Sequence, residues 1–138
     1  MNIFAKFLKK LDLFSKPKLS QDLRYINSAE NFLAILKREI ARADRYNKKI
    51  SLIVFYVDGY NDGSFTQFFV NFLSSRVRLS DEVGWFDEKS IGVLLPDTAL
   101  DGAWKIAREI REKTSHTILP PSCRVYMYPS TQWPSEIV

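Results

Sequence analysis

Residues 51–57 read Ser-Leu-Ile-Val-Phe-Tyr-Val, seven consecutive positions without a charge. β-Branched and aromatic residues dominate the run, and its length suits a strand. It falls far short of the roughly 20 residues that a membrane-spanning helix needs. Successive side chains of a strand point to opposite faces, so a run apolar at both parities predicts a fully buried strand in the middle of a sheet. Turn chemistry follows at once, in Asp58-Gly59 and Asn61-Asp62-Gly63.

The flanking segments supply partners for that strand. Ser28 caps a predicted helix from Ala29 to Tyr46, with Glu30 in its first turn and Phe32, Ile35, Leu36, Ile40 and Ala43 at helical spacing. Phe65, Phe68, Phe69, Phe72, Leu73 and Val77 mark one side of a second helix. Residues 82–86 and 90–95 read as two strands around a tight turn at Asp87-Glu88-Lys89, closed by Pro96-Asp97. Thr98 and Asp101 have capping-box spacing ahead of a helix that runs to about Lys113 and buries Leu100, Ala103, Ala107 and Ile110. Residues 123–128 read as a last strand, and the stretch after Pro129 as coil. The order βαββαβ after the leading helices predicts an α+β, ferredoxin-like antiparallel sheet with helices on one face.

The formal net charge of +4 is not spread over the chain. Residues 1–18 hold Lys6, Lys9, Lys10, Lys16 and Lys18 against Asp12, and the remaining 120 residues are balanced at 15 basic and 15 acidic. A neutral folded part with no basic residues around its aromatics argues against nucleic acid as a partner. In the basic segment, Ile3, Phe4, Phe7, Leu8, Leu11 and Phe14 recur at helical spacing with lysines between them. Two readings stay open: a helix lying on an anionic membrane surface through residues 1–16, or one packing on this protein or a second copy. Lys16-Pro17-Lys18 ends it. The expected organisation is a basic amphipathic helix at 1–18, a linker at 19–28, a domain at 29–129 and a coil tail at 130–138. One cysteine and one histidine exclude an intrachain disulfide and a His/Cys metal cluster. They point to a reduced, cytoplasmic setting, at the inner membrane face if the basic helix binds lipid.

Several spaced stretches resemble the GGDEF domain of the diguanylate cyclase family. Residues 39–58, with Glu39, Arg42, Ala43 and Arg45 ahead of a strand ending in Asp58, resemble that family's helix and first strand. Residues 78–98 resemble its hairpin and the strand end Val-Leu-Leu-Pro-Asp-Thr, and Ala-Leu-Asp-Gly-Ala-Trp-Lys-Ile-Ala-Arg-Glu-Ile-Arg-Glu-Lys resembles the helix that follows. The likeness spans residues 30–128. It implies a bacterial signalling module in the orbit of cyclic di-GMP; by analogy only, degenerate relatives of this kind also resemble regulatory modules attached to exopolysaccharide machinery.

Against that family's pattern the catalytic signature is lost. The pentapeptide position holds Asp87-Glu88-Lys89-Ser90-Ile91. Side chains replace the two glycines that admit substrate phosphates, and Lys89 and Ser90 replace the acidic pair. Of the two aspartates expected on the first strand, one position holds Tyr56 and the other Asp58. The loop after the strand is shortened to Asn61-Asp62-Gly63-Ser64. Phosphoryl transfer rests on metal ions and positioning, so the resemblance implies a chain that is not an enzyme, with no metal and no cofactor. A divergent nucleotide cyclase or phosphotransferase and a purely structural interaction domain are the alternatives.

One functional motif of the family is retained. Arg78-Leu79-Ser80-Asp81 stands five residues before the pentapeptide position, where the family has its Arg-x-x-Asp inhibitory site for cyclic di-GMP. The arginine fork suits phosphate or a guanine Hoogsteen edge, and the aspartate suits guanine N–H donors. The same two residues equally make an ordinary local ion pair. Expected partners are therefore a protein, a second copy, or cyclic di-GMP. Asp58, Asp62, Asp87 and Glu88 are read as turn carboxylates with a possible oxygen-only metal cluster as the alternative. His116 is read as a helix-end residue and Cys123 as a small buried strand residue. Phe55, Tyr126 and Tyr128 are read as core aromatics, and Trp85 with Phe86 as an exposed patch or core cover.

Overall fold

The structure is a computed structural model that describes residues 26–58, 63–115 and 121–137. The basic segment at 1–18, most of the 19–28 linker, Asp62 and His116 lie outside those residues.

The elements run α1 (Ala29–Tyr46), β1 (Ile50–Tyr56), α2 (Gly63–Arg76), β2 (Glu82–Asp87), β3 (Ser90–Pro96), α3 (Leu100–Thr114) and β4 (Cys123–Tyr128), with a 3-10 turn at Ser135–Ile137. The strands form one antiparallel sheet in the order β2-β3-β1-β4. β1 is central, as its sequence demands, and pairs with β3 from Ile50↔Pro96 to Tyr56↔Ser90 and with β4 from Ile50↔Tyr128 to Phe55↔Cys123.

The two parities of β1 build two cores. Ile53, Phe55 and Val57 face α2 and α3, together with Ile91, Val93 and Leu95 of β3 and Val83 and Trp85 of β2. There Phe55 meets Phe69 edge-on, ring centroids 5.1 Å apart. Ile50 and Leu52 face the other way, with Leu94, onto Phe32, Leu36, Ile40 and Ala43 of α1. The helices inside the βαββαβ unit thus share one face, and the leading helix α1 covers the second.

Local chemistry sets the helix ends. Ser28 accepts the Asn31 N–H at 3.2 Å, and Asn47 closes α1 in the left-handed region at φ 55°. The capping box expected at Thr98 and Asp101 does not form: Ala99 is the N-cap of α3 and has no side-chain bond to the helix. The Thr98 hydroxyl is used elsewhere, donating to the Pro96 carbonyl and accepting from Arg78.

Two further departures come from packing. The tail after Pro129 is irregular, but Trp133 and Ile137 are buried on the α1 side of the sheet at 5% and 0% exposure, so it is core cover rather than free coil. Asn27 extends the edge of β2 through a parallel bridge to Gly84, its N–H donating to Val83 and its carbonyl accepting from Trp85. Among the described residues no helix is long and apolar enough to cross a membrane.

Candidate functional site

The Arg78–Asp81 loop links α2 to β2 and is closed upon itself. The Asp81 N–H donates to the Arg78 carbonyl at 3.0 Å, and the Arg78 N–H donates to Asp81 Oδ2 at 2.8 Å. The guanidinium returns to the same carboxylate, Nη2 at 2.9 Å from Oδ1 and Nε at 3.3 Å from both oxygens. Nη2 also donates to the Pro96 carbonyl and to Thr98 Oγ1, each at 3.0 Å. The Ser51 hydroxyl holds the Thr98 carbonyl at 2.7 Å. Arg78 therefore ties its loop to the end of β3 and the start of α3. The bond to Asp81 raises the guanidinium pKa against the opposing effect of burial. These contacts use Nε and Nη2 and leave Nη1 out.

Beside the loop lies a cleft of about 700 Å³, within the range of small-molecule sites. One wall is α1, with Ile35, Arg38, Glu39, Arg42 and Tyr46; the other is Leu79, Ser80, Glu82, Pro96 and Asp97. Glu39 is buried at its base and accepts from Arg42 at 3.2 Å, with Arg38 Nε 3.7 Å away. The two guanidinium groups stay open to solvent while the carboxylate between them does not. Leu79 is fully exposed at the lip. Arg78 does not line the cleft itself but is bonded to Pro96, which does.

The hairpin position is arranged differently. Asp87 pairs with Ser90 across a two-residue turn of Glu88 and Lys89, and Asp87 Oδ1 accepts the Lys89 N–H at 2.8 Å. The Lys89 carbonyl accepts the N–H groups of Val57 and Asp58, so the end of β1 adjoins the turn. Tyr56 donates its hydroxyl to Asp58 Oδ2 at 3.3 Å. Ser90 and Ile91 point into the protein. Among the described residues no three His, Cys, Asp or Glu side chains converge in a way that holds a metal ion.

The remaining candidates are structural. Phe55 is fully buried and Tyr126 and Tyr128 pack on the α1 side, Tyr128 donating to Asp44 at 2.7 Å. Trp85 is buried in the α2–α3 core and Phe86 is half-buried on the opposite face, so the two form no exposed patch. Cys123 is half-buried, and that burial raises its thiol pKa. The cleft and the Glu39 pairing escape a reading of the sequence: Glu39 and Arg42 belong to the stretch that resembles a helix of the family, but nothing there shows that Glu39 turns inward.

No protein-family model matches the sequence, and no curated protein matches it. Solved structures do match in fold. A DGC protein from Thermotoga maritima superposes with a TM-score of 0.68 at 19% identity, over 78% of this chain and 86% of that one. The GGDEF domain of DgcB from Caulobacter crescentus, solved in complex with c-di-GMP, gives 0.60 at 13% identity, over 74% and 68%. The diguanylate cyclase SiaD from Pseudomonas aeruginosa, solved with its activator SiaC, gives 0.63 at 20% identity, over 90% of this chain and 55% of SiaD. The fold is that of GGDEF domains.

Proposed function

We propose that this chain is a non-catalytic GGDEF-like module that signals by binding, and that cyclic di-GMP is the small molecule its cleft takes. The observation that carries the reading is the Arg78 guanidinium, held by Asp81 and Thr98 with Nη1 left over, next to a cleft that presents Arg38 and Arg42. A cyclic dinucleotide offers two phosphodiester charges and two flat bases. Guanidinium groups recognise both, by charge-assisted forks and by stacking. Tyr46 and Leu79 supply apolar contact at the rim. Both Asp81 oxygens already serve Arg78, and its side chain is 2% exposed, so Asp81 acts here as a positioning residue and not as a direct guanine acceptor.

The non-catalytic half of the reading rests on the hairpin. A divalent ion there needs converging oxygen ligands. Asp58 is met instead by the Tyr56 hydroxyl, Asp87 is engaged in its own turn, and Lys89 brings a cation. These residues do not fit a metal. Incubation with GTP and Mg²⁺ or Mn²⁺ is expected to yield no cyclic di-GMP; product formation that Asp58→Ala abolishes would overturn this half.

A further inference from the structure

Guanidinium groups hold phosphate and the flat face of any purine, so Arg38, Arg42 and Arg78 do not by themselves separate guanine from adenine. Base identity is read by hydrogen bonds to a base edge. Two carboxylates are buried among the described residues, Asp81 and Glu39. Asp81 already has both oxygens on Arg78. Glu39 does not have both oxygens in use. It belongs to the buried stripe of α1 beside Leu36 and Ile40, yet it lines the cleft. Its side chain is 8% exposed, and both of its arginine contacts go to Oε2. Arg42 Nη1 donates there at 3.2 Å, while Arg38 Nε, at 3.7 Å, is beyond hydrogen-bond reach. Among the described residues no hydrogen bond reaches Oε1. Nor is Oε1 sealed in, since Ser74 Oγ and Trp133 Nε1 are the side-chain atoms there that are both shut off from solvent and unbonded. A carboxylate taken this far out of water with one hydrogen bond is poorly compensated.

We propose that Glu39 is the residue that selects guanine in this cleft, an assignment that rests on the reading of the cleft as a cyclic di-GMP site. Guanine presents its N1–H and a 2-amino N–H side by side and pointing the same way. The two oxygens of a carboxylate match that pair. Oε1 accepts one of them, and the lone pair of Oε2 not used by Arg42 accepts the other. Each bond is charge-assisted and lies at the base of the cleft, where water competes least. Adenine has a bare N1 lone pair on the same edge, which a carboxylate repels. Arg38 and Arg42, both largely open to solvent, flank Glu39 and take the phosphodiester charge. Glu39 thus does the work that Asp81, committed to Arg78, does not.

The test titrates the full chain with cyclic di-GMP, with cyclic di-IMP, whose base lacks the 2-amino group, and with cyclic di-AMP. The native chain should bind cyclic di-IMP about tenfold more weakly than cyclic di-GMP, the loss of one hydrogen bond to a charged group, and cyclic di-AMP more weakly still. Glu39→Gln should lower the affinity for cyclic di-GMP by about tenfold or more and bring cyclic di-AMP level with it, because a glutamine amide both donates and accepts. In the native chain the carboxylate carbon resonance of Glu39 should move with cyclic di-GMP and not with cyclic di-AMP, a readout that needs no variant. Equal losses for all three dinucleotides in Glu39→Gln, or a Glu39 resonance that ignores cyclic di-GMP, would overturn the assignment to Glu39. The cleft reading would survive either result as long as Arg78→Ala still weakens cyclic di-GMP. Failure of all three dinucleotides to bind the native chain would overturn both.

Discussion

Arg78 and Asp81 are an ion pair of opposed exposure: the carboxylate is 2% exposed and the guanidinium side chain 53%. Removing one member is therefore not equivalent to removing the other. Arg78→Ala leaves a buried carboxylate with the Arg78 backbone N–H as its remaining partner from this pair, whereas Asp81→Ala leaves a cation that water can solvate. Unsatisfied buried groups cost about 1–3 kcal/mol, more when charged. Arg78→Ala is expected to lose at least that much in denaturant unfolding, and Arg78→Lys to recover only part because an ammonium lacks the planar fork. A fully neutral Arg78→Ala would mean that the pair is not formed in solution.

Phe32 sits over two glycines that face each other across β2 and β3. A Cβ on Gly84 would come within 2.5 Å of the Phe32 ring, and one on Gly92 within 2.7 Å. Overpacking of this kind costs about 1–3 kcal/mol. Gly84→Ala and Gly92→Ala should each destabilise by that order, and Phe32→Leu should relieve part of the cost in a double-mutant cycle. Additive losses would show that Phe32 is not the obstacle.

Trp133 anchors the C-terminal stretch, its ring 5.6 Å from that of Tyr128 in an edge contact. Trp133→Ala should cost about 3–5 kcal/mol, the range for emptying a large buried aromatic site. A loss below about 1 kcal/mol would return the stretch to the coil that its prolines suggest.

Arg76 and Glu109 join α2 to α3 by an ion pair. The bond to Arg76 is the main cause that lowers the Glu109 pKa below its ordinary 4.5. A lowered folded-state pKa contributes stability that is present above the unfolded value and is lost as pH falls through the folded one. The stability gap between the native chain and Glu109→Gln should thus be open at pH 7 and close as pH falls below 4.5. A gap that does not narrow as pH falls below 4.5 would contradict the pairing.

The sheet was legible because its determinants are local. The two-faced apolar run of β1, the turn at Glu88-Lys89 and the alternation in 123–128 each specify a strand without reference to the rest. Packing between distant segments has no such signature. Nothing periodic marks Trp133 and Ile137 as core residues, and Gly84 and Gly92 declare their purpose only once Phe32 is placed above them. Thr98 shows the same limit at the site: its spacing to Asp101 suits a helix cap, yet Arg78, twenty residues earlier, takes the hydroxyl. The Arg-x-x-Asp spacing and its local ion pair were visible in the chain; that Asp81 faces inward was not.

Calorimetric titration of the full chain with cyclic di-GMP, with and without Mg²⁺, tests the central claim most directly. Saturable heat independent of Mg²⁺ is predicted, with linear GMP binding far more weakly. Arg78→Ala should weaken affinity by about tenfold to a hundredfold, the worth of one charge-assisted hydrogen bond from Nη1. Arg38→Ala or Arg42→Ala should weaken it as well, since both line the cleft beside Arg78. No heat at micromolar ligand, or binding that Arg78→Ala leaves unchanged, would contradict the account.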